Sequence, residues 1–211
     1  MVEWFICGGG KKMIGNFFST PIYMGNIENR GDVDKELSDA TDRAIFKNDW
    51  QPDNDTANTT FNPQGSTDII REFNMQKIRS HIIDHANKYL KEIDYSYKQD
   101  SLQILGSWLN TFEKDQVIGL HEHGYQPNTF SGSYYYKVPK NSGNIRFKST
   151  NPFVISFPHQ SDKYSNLLNV EPESGMILLF PSWLMHKVLP NKSDETRISL
   201  AFNIYFDYKG K

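Results

Sequence analysis

The sequence predicts a mainly β domain that is supported by helices near its N-terminus. From about residue 101, short runs of aromatic and β-branched residues alternate with Pro, Asn and Gly, which is the spacing of a sandwich or small barrel. Before about residue 95 the chain is polar, and its apolar residues recur at helical spacing. Aromatic residues, which favour sheets, make up 14% of the 211 residues.

Two helices are predicted in the N-terminal part. The first has Asp32 as its expected N-cap, followed by apolar residues at helical spacing, Val33, Leu37, Ala40 and Ala44. The second is expected from about Thr67 to Ile93, with Ser66 or Thr67 as its cap and an apolar stripe along one face. Residues 51–66, between the two helices, are predicted to form an irregular surface loop.

Six β-type runs follow in the second half, SLQILGSWLNTF, FSGSYYYKVP, NIRFK, FVISF, GMILLFP and RISLAFNIYFDY. We therefore predict one domain over residues 16–211, with helical support from residues 32–95 and a β core over residues 101–208. Residues 1–15 contain GGGKK and are expected to form a flexible tail.

Charge and composition exclude several classes of protein. The 23 Lys and Arg against 25 Asp and Glu give a net charge of −2, which argues against a nucleic-acid partner. No run approaches the roughly 20 apolar residues of a membrane span, and the N-terminus lacks a signal-peptide pattern, so we expect a cytoplasmic protein without a membrane partner. The single Cys7 excludes a multi-cysteine metal site, and any metal must be bound by His, Asp or Glu.

Three of the six histidines lie at positions that suit metal binding. In GLHEHGY, His121 and His123 are two residues apart, so in an extended strand both side chains can point inward while Glu122 points away. His186 follows the apolar strand GMILLFP and can supply a third ligand. Three ligands on one side of a metal leave positions for a substrate, as in oxygen-activating non-haem iron sites. A satisfied histidine pair with no metal is the alternative.

Arg197 opens the apolar strand RISLAFNIYF, and the period of two places Ser199, Ala201 and Asn203 on its face. A buried guanidinium is costly without an anionic partner, so Arg197 either pairs with a protein carboxylate or awaits an anion. Elsewhere, His81 and His85 are four apart on the second helix, but Ile82 stands where a zinc peptidase has its glutamate. For that pair we expect a solvated helix face.

The order H-x-H, SGSYYY, G-x5-P-x4-H and R-x-S resembles the 2-oxoglutarate- and Fe(II)-dependent oxygenases of the prolyl 4-hydroxylase type, and most closely a group of them with an H-x-H motif. The resemblance implies a double-stranded β-helix, a cupin-like jelly roll with the N-terminal helices packed on one sheet. It also implies a dioxygenase that uses Fe(II), 2-oxoglutarate and O2, and that couples decarboxylation of 2-oxoglutarate to succinate with oxidation of a small-molecule or peptidyl substrate, for example a prolyl residue.

The same resemblance implies roles for individual residues. His121, His123 and His186 would bind the metal, and Arg197 would bind the far carboxylate of 2-oxoglutarate. Further cosubstrate contacts are expected from five polar side chains, Tyr135, Ser131, Ser199, Asn110 and Asn203. The chain departs from the family in one ligand, because His123 replaces the usual carboxylate and leaves the centre one unit more positive.

Two other interpretations stay open at this point. GMILLFPSWLMH matches part of a cupin motif, but the glutamate that a cupin needs after the second histidine is missing and Arg197 has no role there. The chain could also be a jelly-roll binding module without catalysis, in which the histidines are incidental.

Overall fold

The structure is a computed structural model, and it describes residues 19–47, 55–62, 67–124, 129–151 and 165–208. Three predicted features lie wholly or partly outside the described residues: the tail over residues 1–15, the FVISF strand over residues 153–157 and much of the loop over residues 51–66. No helix in the described part of the chain is long and apolar enough to cross a membrane.

The larger of two antiparallel sheets has six strands. In chain order these are β1 (Tyr23–Asn26), β2 (Asn58–Thr59), β3 (Gln103–Phe112), β5 (Thr129–Lys137), β8 (Met176–Pro181) and β10 (Arg197–Tyr205). Their order across the sheet is β1-β8-β5-β10-β3-β2. The strand β2 lies within the segment predicted as an irregular loop, and it pairs with β3 through Thr59 and Asn110.

The smaller sheet has four strands. They are β4 (Ile118–His121), β6 (Ile145–Lys148), β7 (Leu167–Val170) and β9 (His186–Val188), in the order β4-β9-β6-β7. Strands that follow one another in the chain mostly lie in opposite sheets or are separated by another strand, as expected for a jelly roll.

The two faces of the larger sheet bury different cores, because successive side chains on a strand point to opposite faces. On one face Leu109, Tyr134 and Leu200 pack with residues of the helices in the larger hydrophobic cluster. On the other face Tyr135, Leu178 and Phe180 pack with Ile145 and Phe147 of the smaller sheet. The predicted arrangement, helices on one sheet and a second sheet on its other face, is confirmed.

The first predicted helix is present as α1 (Gly31–Arg43), with the residues of its apolar face Val33, Leu37 and Ala40 buried. The prediction of Asp32 as N-cap was wrong. Residue Arg30 holds that position and makes no side-chain cap hydrogen bond, whereas Asp32 lies in the first turn, where a carboxylate interacts favourably with the helix dipole.

The second predicted helix is interrupted. It forms α2 (Ile69–Glu72) and α3 (Gln76–Glu92), and the cap of α2 is Asp68 rather than Ser66 or Thr67, since its carboxylate accepts from the Arg71 amide at 3.3 Å. The break occurs because Asn74 adopts a φ of 51°, in the left-handed region that ends a helix and that asparagine tolerates.

Candidate metal and anion site

Three histidines converge between the two sheets. His121 ends β4 and His186 begins β9, and the two residues are direct partners in the strand register. His123 lies two residues beyond His121, and its amide donates to the Ser182 carbonyl at 2.8 Å. The potential ligand atoms of all three lie within 4.8 Å of one another. Histidine nitrogens that share one ion each lie roughly 2 Å from it, so atoms this close to one another suit a single metal.

Backbone carbonyls orient two of these histidines. His121 Nδ1 is 2.9 Å from the Gly119 carbonyl oxygen, and His186 Nδ1 is 2.8 Å from that of Leu184. Because a carbonyl can only accept, each Nδ1 carries the proton and donates it. The Nε2 atoms are then the unprotonated nitrogens, which is the tautomer that metal binding through Nε2 requires.

Burial keeps His123 and His186 neutral. Desolvation, with a smaller contribution from His121, lowers the pKa of His123 to about 3. Desolvation also places the pKa of His186 well below its ordinary value, with His121 and His123 adding to the effect. Near neutral pH these imidazoles therefore have free lone pairs, and metal binding does not require them to lose a proton.

Glu122 is not part of the cluster, as predicted from strand alternation. Its carboxylate accepts from the Gly124 amide at 2.6 Å, and the group of residues that could hold a metal contains the three histidines without it. The donor set is thus three imidazoles, a set that suits a divalent transition metal such as Fe(II).

Arg197 is buried, with 1% of its surface exposed, and no carboxylate within the described residues forms an ion pair with it. One terminal nitrogen, Nη1, donates to the Gly143 and Ser142 carbonyls at 2.7 and 3.3 Å, whereas Nε has no hydrogen-bond partner. Desolvation lowers the pKa of Arg197, which reflects the cost of burying its charge. The residue therefore fits an anionic ligand.

Aromatic rings and a second unpaired donor surround this cation. The guanidinium carbon lies 5.0 Å from the ring centre of Phe112 and 5.3 Å from that of Tyr135. The Tyr135 hydroxyl is buried and has no hydrogen-bond partner. Buried polar atoms are almost always paired. The two unpaired atoms here, Nε of the guanidinium and the neighbouring Tyr135 hydroxyl, therefore suit a carboxylate ligand.

The predicted polar residues form rows across the larger sheet. Asn110 and Tyr135 are the register partners of Ser199 on its two sides, and all three line the pocket that also contains Arg197 and the histidines. Ser131 lines the same pocket and donates to Asn203 Oδ1 at 2.7 Å. Asn203 is not among the described residues that line the pocket, because it lies beyond the row of Trp108 and Ala201.

Trp108 was not predicted as a site residue, yet it lines the pocket beside His123. The signal was available, since Trp108, Asn110 and Phe112 alternate along β3 and share one face. Aromatic residues in strands are more often part of a core, and that expectation hid it. Apolar walls come from both sheets, through Phe112, Phe180, Ile145 and Val188.

The prediction of a solvated face at His81 and His85 was wrong for His85. This side chain is buried, with 5% of its surface exposed, and its Nδ1 lies 2.8 Å from the Tyr23 hydroxyl. Gly25 makes room for it, because a Cβ atom at that position would lie 2.8 Å from the imidazole. His85 therefore belongs to the interface between α3 and β1, outside the metal site.

Comparison with known families supports the interpretation of this site. Residues 106–203 match the model of a family described as "Putative 2OG-Fe(II) oxygenase", and this segment contains all three histidines, Arg197 and Tyr135. The match confirms the predicted resemblance and favours it over the cupin and binding-module alternatives. No curated protein matches the sequence.

Solved structures confirm the double-stranded β-helix fold. The α-ketoglutarate-dependent epimerase SnoN from nogalamycin biosynthesis is similar with a TM-score of 0.63 and 15% identity, over 88% of this chain and 76% of that one. A 2OG-Fe(II) oxygenase family oxidoreductase from Burkholderia pseudomallei gives 0.62 and 11%, over 87% and 84%. A Pseudomonas putida prolyl-4-hydroxylase gives 0.56 and 12%, over 90% and 94%.

Proposed function

We propose, because residues 106–203 match the model of a 2OG-Fe(II) oxygenase family, that this protein is a 2-oxoglutarate- and Fe(II)-dependent dioxygenase. The observation that carries the proposal is a buried arginine, without a counter-ion among the described residues, in the same pocket as three histidines. His121, His123 and His186 would hold Fe(II), and Arg197 would hold the far carboxylate of 2-oxoglutarate. A cupin or a binding module gives no reason for the buried Arg197.

When bound, Fe(II) and 2-oxoglutarate supply the oxidative chemistry, in which O2 converts 2-oxoglutarate to succinate and CO2 and gives one oxygen atom to the substrate. The contribution of the protein is to bind and orient these groups. Arg197 Nε and the Tyr135 hydroxyl are unpaired donors for the carboxylate, and Ser199 and Asn110 are polar groups in the same row as Tyr135. Apolar side chains such as Phe112 and Val188 exclude water from this end of the pocket.

For the substrate we propose a peptidyl residue, with proline as the first choice and a small molecule as the alternative. The similarity to the Pseudomonas putida prolyl-4-hydroxylase extends over 90% of this chain and 94% of that one, so the two have nearly the same extent. Succinate formation with prolyl peptides against a no-peptide control tests this choice.

We further propose that residues 16–211 act as one domain and that the enzyme works in the cytoplasm, where Fe(II) stays reduced.

Anaerobic titration with Fe(II) and 2-oxoglutarate tests the proposed cofactors. The wild-type protein is expected to show the weak visible charge-transfer band of 2-oxoglutarate bound to Fe(II), and to form succinate after O2 is admitted. Absence of both the band and the succinate would contradict the proposal.

Two variants and a control separate the proposed roles. His186→Ala is expected to abolish the band, whereas Arg197→Ala should weaken 2-oxoglutarate on the order of a hundredfold and leave Fe(II) binding nearly unchanged. Arg146→Ala is a matched control, because Arg146 lies on the smaller sheet and donates to Asn169 at 2.7 Å, away from the pocket. Equal losses of metal and 2-oxoglutarate in Arg197→Ala would contradict the assigned roles.

A further inference from the structure

The three histidines of the candidate metal site differ in how they are held. His121 and His186 each place Nδ1 within 2.9 Å of a backbone carbonyl oxygen. Within the described parts of the chain, neither ring nitrogen of His123 has a hydrogen-bond partner, although its backbone amide is bonded to Ser182. Metal-binding histidines almost always have such a partner for the second nitrogen, so the ring of His123 needs another source of orientation.

Aromatic stacking supplies a restraint at this position. The ring of His123 is stacked between two others. It faces the indole of Trp108, with centroids 5.5 Å apart and an interplanar angle of 26°, and the imidazole of His186, at 5.2 Å and 7°. Trp108 is itself restrained, because 9% of its surface is exposed and it packs on Phe61 with ring centroids 5.1 Å apart. Its place in the middle of β3 fixes the backbone to which this indole is attached.

We propose that Trp108 is the positioning residue for His123, in place of the hydrogen bond that orients each of the other two ligands. The inference rests on the proposed function, in which His123 binds the metal. Stacking fixes the plane of an imidazole ring, but unlike a hydrogen bond it does not select which nitrogen carries the proton. His186, the other ring stacked on His123, is itself a proposed ligand, so the indole is the restraint on His123 that comes from outside the three ligands, and the contribution of His123 to metal binding depends on it.

The identity of the third ligand makes this dependence stronger. A carboxylate at position 123 would attract a cation through its charge, even from an imperfect orientation. A neutral imidazole contributes only when its lone pair points at the metal. Replacing the indole with a side chain that cannot stack should therefore have the effect of losing an orienting partner, which typically lowers metal affinity 10- to 100-fold.

Anaerobic titration with Co(II), followed by its visible ligand-field absorption, tests the proposal without any turnover. Trp108→Leu is expected to weaken Co(II) binding at least about tenfold and to change the shape of the absorption band. Trp108→Phe keeps a stacking ring and is expected to stay within about threefold of the wild type. Leu109→Ala is the matched control, because Leu109 is the next residue on β3, is fully buried and faces the helices. It should lower stability and leave the Co(II) affinity and spectrum unchanged.

A double-mutant cycle with His123→Ala identifies the route of the effect. If Trp108 acts through His123, Trp108→Leu has no further effect on Co(II) affinity once the histidine is gone. Wild-type Co(II) affinity and spectrum in Trp108→Leu, or an equal loss in Trp108→Leu with and without His123, would overturn the proposal. An equal loss in Trp108→Phe and Trp108→Leu would do the same. These outcomes leave the proposed function intact, whereas a wild-type protein that binds no Co(II) would overturn both.

Discussion

Tyr135 and Arg197 carry unpaired polar atoms that a structural role does not require. The Tyr135 hydroxyl and Arg197 Nε are buried without hydrogen-bond partners, and a buried unpaired group costs about 1–3 kcal/mol. In the absence of a ligand these two residues therefore lower the stability of the fold. The unpaired donors are best understood as groups that are satisfied when an anion binds.

Substitution Tyr135→Phe should separate stability from binding. Removing the unpaired hydroxyl is expected to raise the free energy of unfolding of the ligand-free protein by about 1 kcal/mol, and to weaken 2-oxoglutarate about tenfold. Urea unfolding and 2-oxoglutarate titration measure the two effects. Tyr89→Phe is the control with the opposite sign, because the Tyr89 hydroxyl donates to the Pro21 carbonyl at 2.9 Å and its loss should reduce stability. A loss of stability in both variants would contradict the prediction.

His85 should make stability depend on pH. Desolvation, assisted mainly by Lys88 and His81 and opposed by Asp84, lowers its pKa from 6.5 to about 4. Between these values the unfolded chain binds the proton and the folded chain does not, so stability falls as the pH falls from 6.5 towards 4. From pH 7 to pH 5 the expected loss from this residue is about 2 kcal/mol.

The measurement compares urea unfolding of the wild type and His85→Gln at pH 7 and pH 5. Glutamine keeps an acceptor for the Tyr23 hydroxyl but does not titrate. Carboxylates and the histidines of the metal site contribute equally to both proteins, so the difference between the two pH dependences isolates His85. Parallel pH dependences in the two proteins would rule out the assigned pKa.

At the scale of elements, the turn between β5 and β6 positions Arg197. Gly143 has a φ of 87°, and its carbonyl accepts from Arg197 Nη1 at 2.7 Å. A Cβ atom at this position would lie 2.2 Å from the Leu189 carbonyl oxygen. Only glycine therefore allows the two backbone segments to approach closely enough to hold the arginine.

Substitution Gly143→Ala is expected to move this turn, because both the positive φ and the contact with Leu189 oppose a side chain. We expect a loss of about 2 kcal/mol or more of stability, together with weaker 2-oxoglutarate binding as the acceptor of Arg197 moves. Gly31→Ala is the control, since a Cβ atom there meets nothing within 4 Å at the start of α1. Unchanged 2-oxoglutarate affinity in a folded Gly143→Ala protein would contradict this role of the turn.

An element could be predicted from the sequence where residues close together in the chain determine it. The strand that begins with Arg197 was predicted because strand alternation and turn residues act over a few positions. The short strands β4 and β9, which carry His121 and His186, were not among the predicted runs. The break at Asn74 was missed because an apolar stripe continues across it. The cap of α3 is not local either, since Glu36 of α1 accepts from the Lys77 and Ile78 amides at 2.9 and 3.0 Å.

The candidate site likewise combines features that nearby residues determine with features that depend on distant parts of the chain. The inward direction of both His121 and His123 follows from their spacing, and the burial of Arg197 from the apolar strand that it opens. The hydrogen-bond partners of Arg197 could not be predicted, because a loop whose conformation no motif fixes brings the Ser142 and Gly143 carbonyls to this side chain. The burial of His85 likewise depends on Tyr23, which is 62 positions away in the chain.

At the scale of the whole molecule, the site joins the two sheets. The smaller sheet supplies His121 and His186, and the larger sheet supplies Tyr135, Ser199 and Arg197. The larger hydrophobic cluster lies on the far side of the larger sheet, against the helices. Between the two sheets lies the smaller hydrophobic cluster. A ligand that contacts both sheets therefore adds an interaction to this smaller cluster.

Binding of a metal and 2-oxoglutarate should for this reason stabilise the whole fold. With Mn(II) as a redox-stable probe and 2-oxoglutarate at about one hundred times its dissociation constant, linkage gives about 2.7 kcal/mol, or roughly 5–10 °C in melting temperature for a domain of this size. Treatment with a chelator should remove the part that is due to the metal. Amide exchange should slow in β4, β9 and β10 together, because each of these strands carries a residue that we propose binds the metal or 2-oxoglutarate.

The single-residue variants determine whether this coupling runs through the proposed groups. His186→Ala should lose the stabilisation by Mn(II), and Arg197→Ala should lose the further increment from 2-oxoglutarate while it keeps that from the metal. Slower exchange confined to one sheet would show that the ligand does not connect the two. Because both ligands act only on the folded state, equal stabilisation of His186→Ala and the wild type by Mn(II) would place the metal elsewhere on the protein.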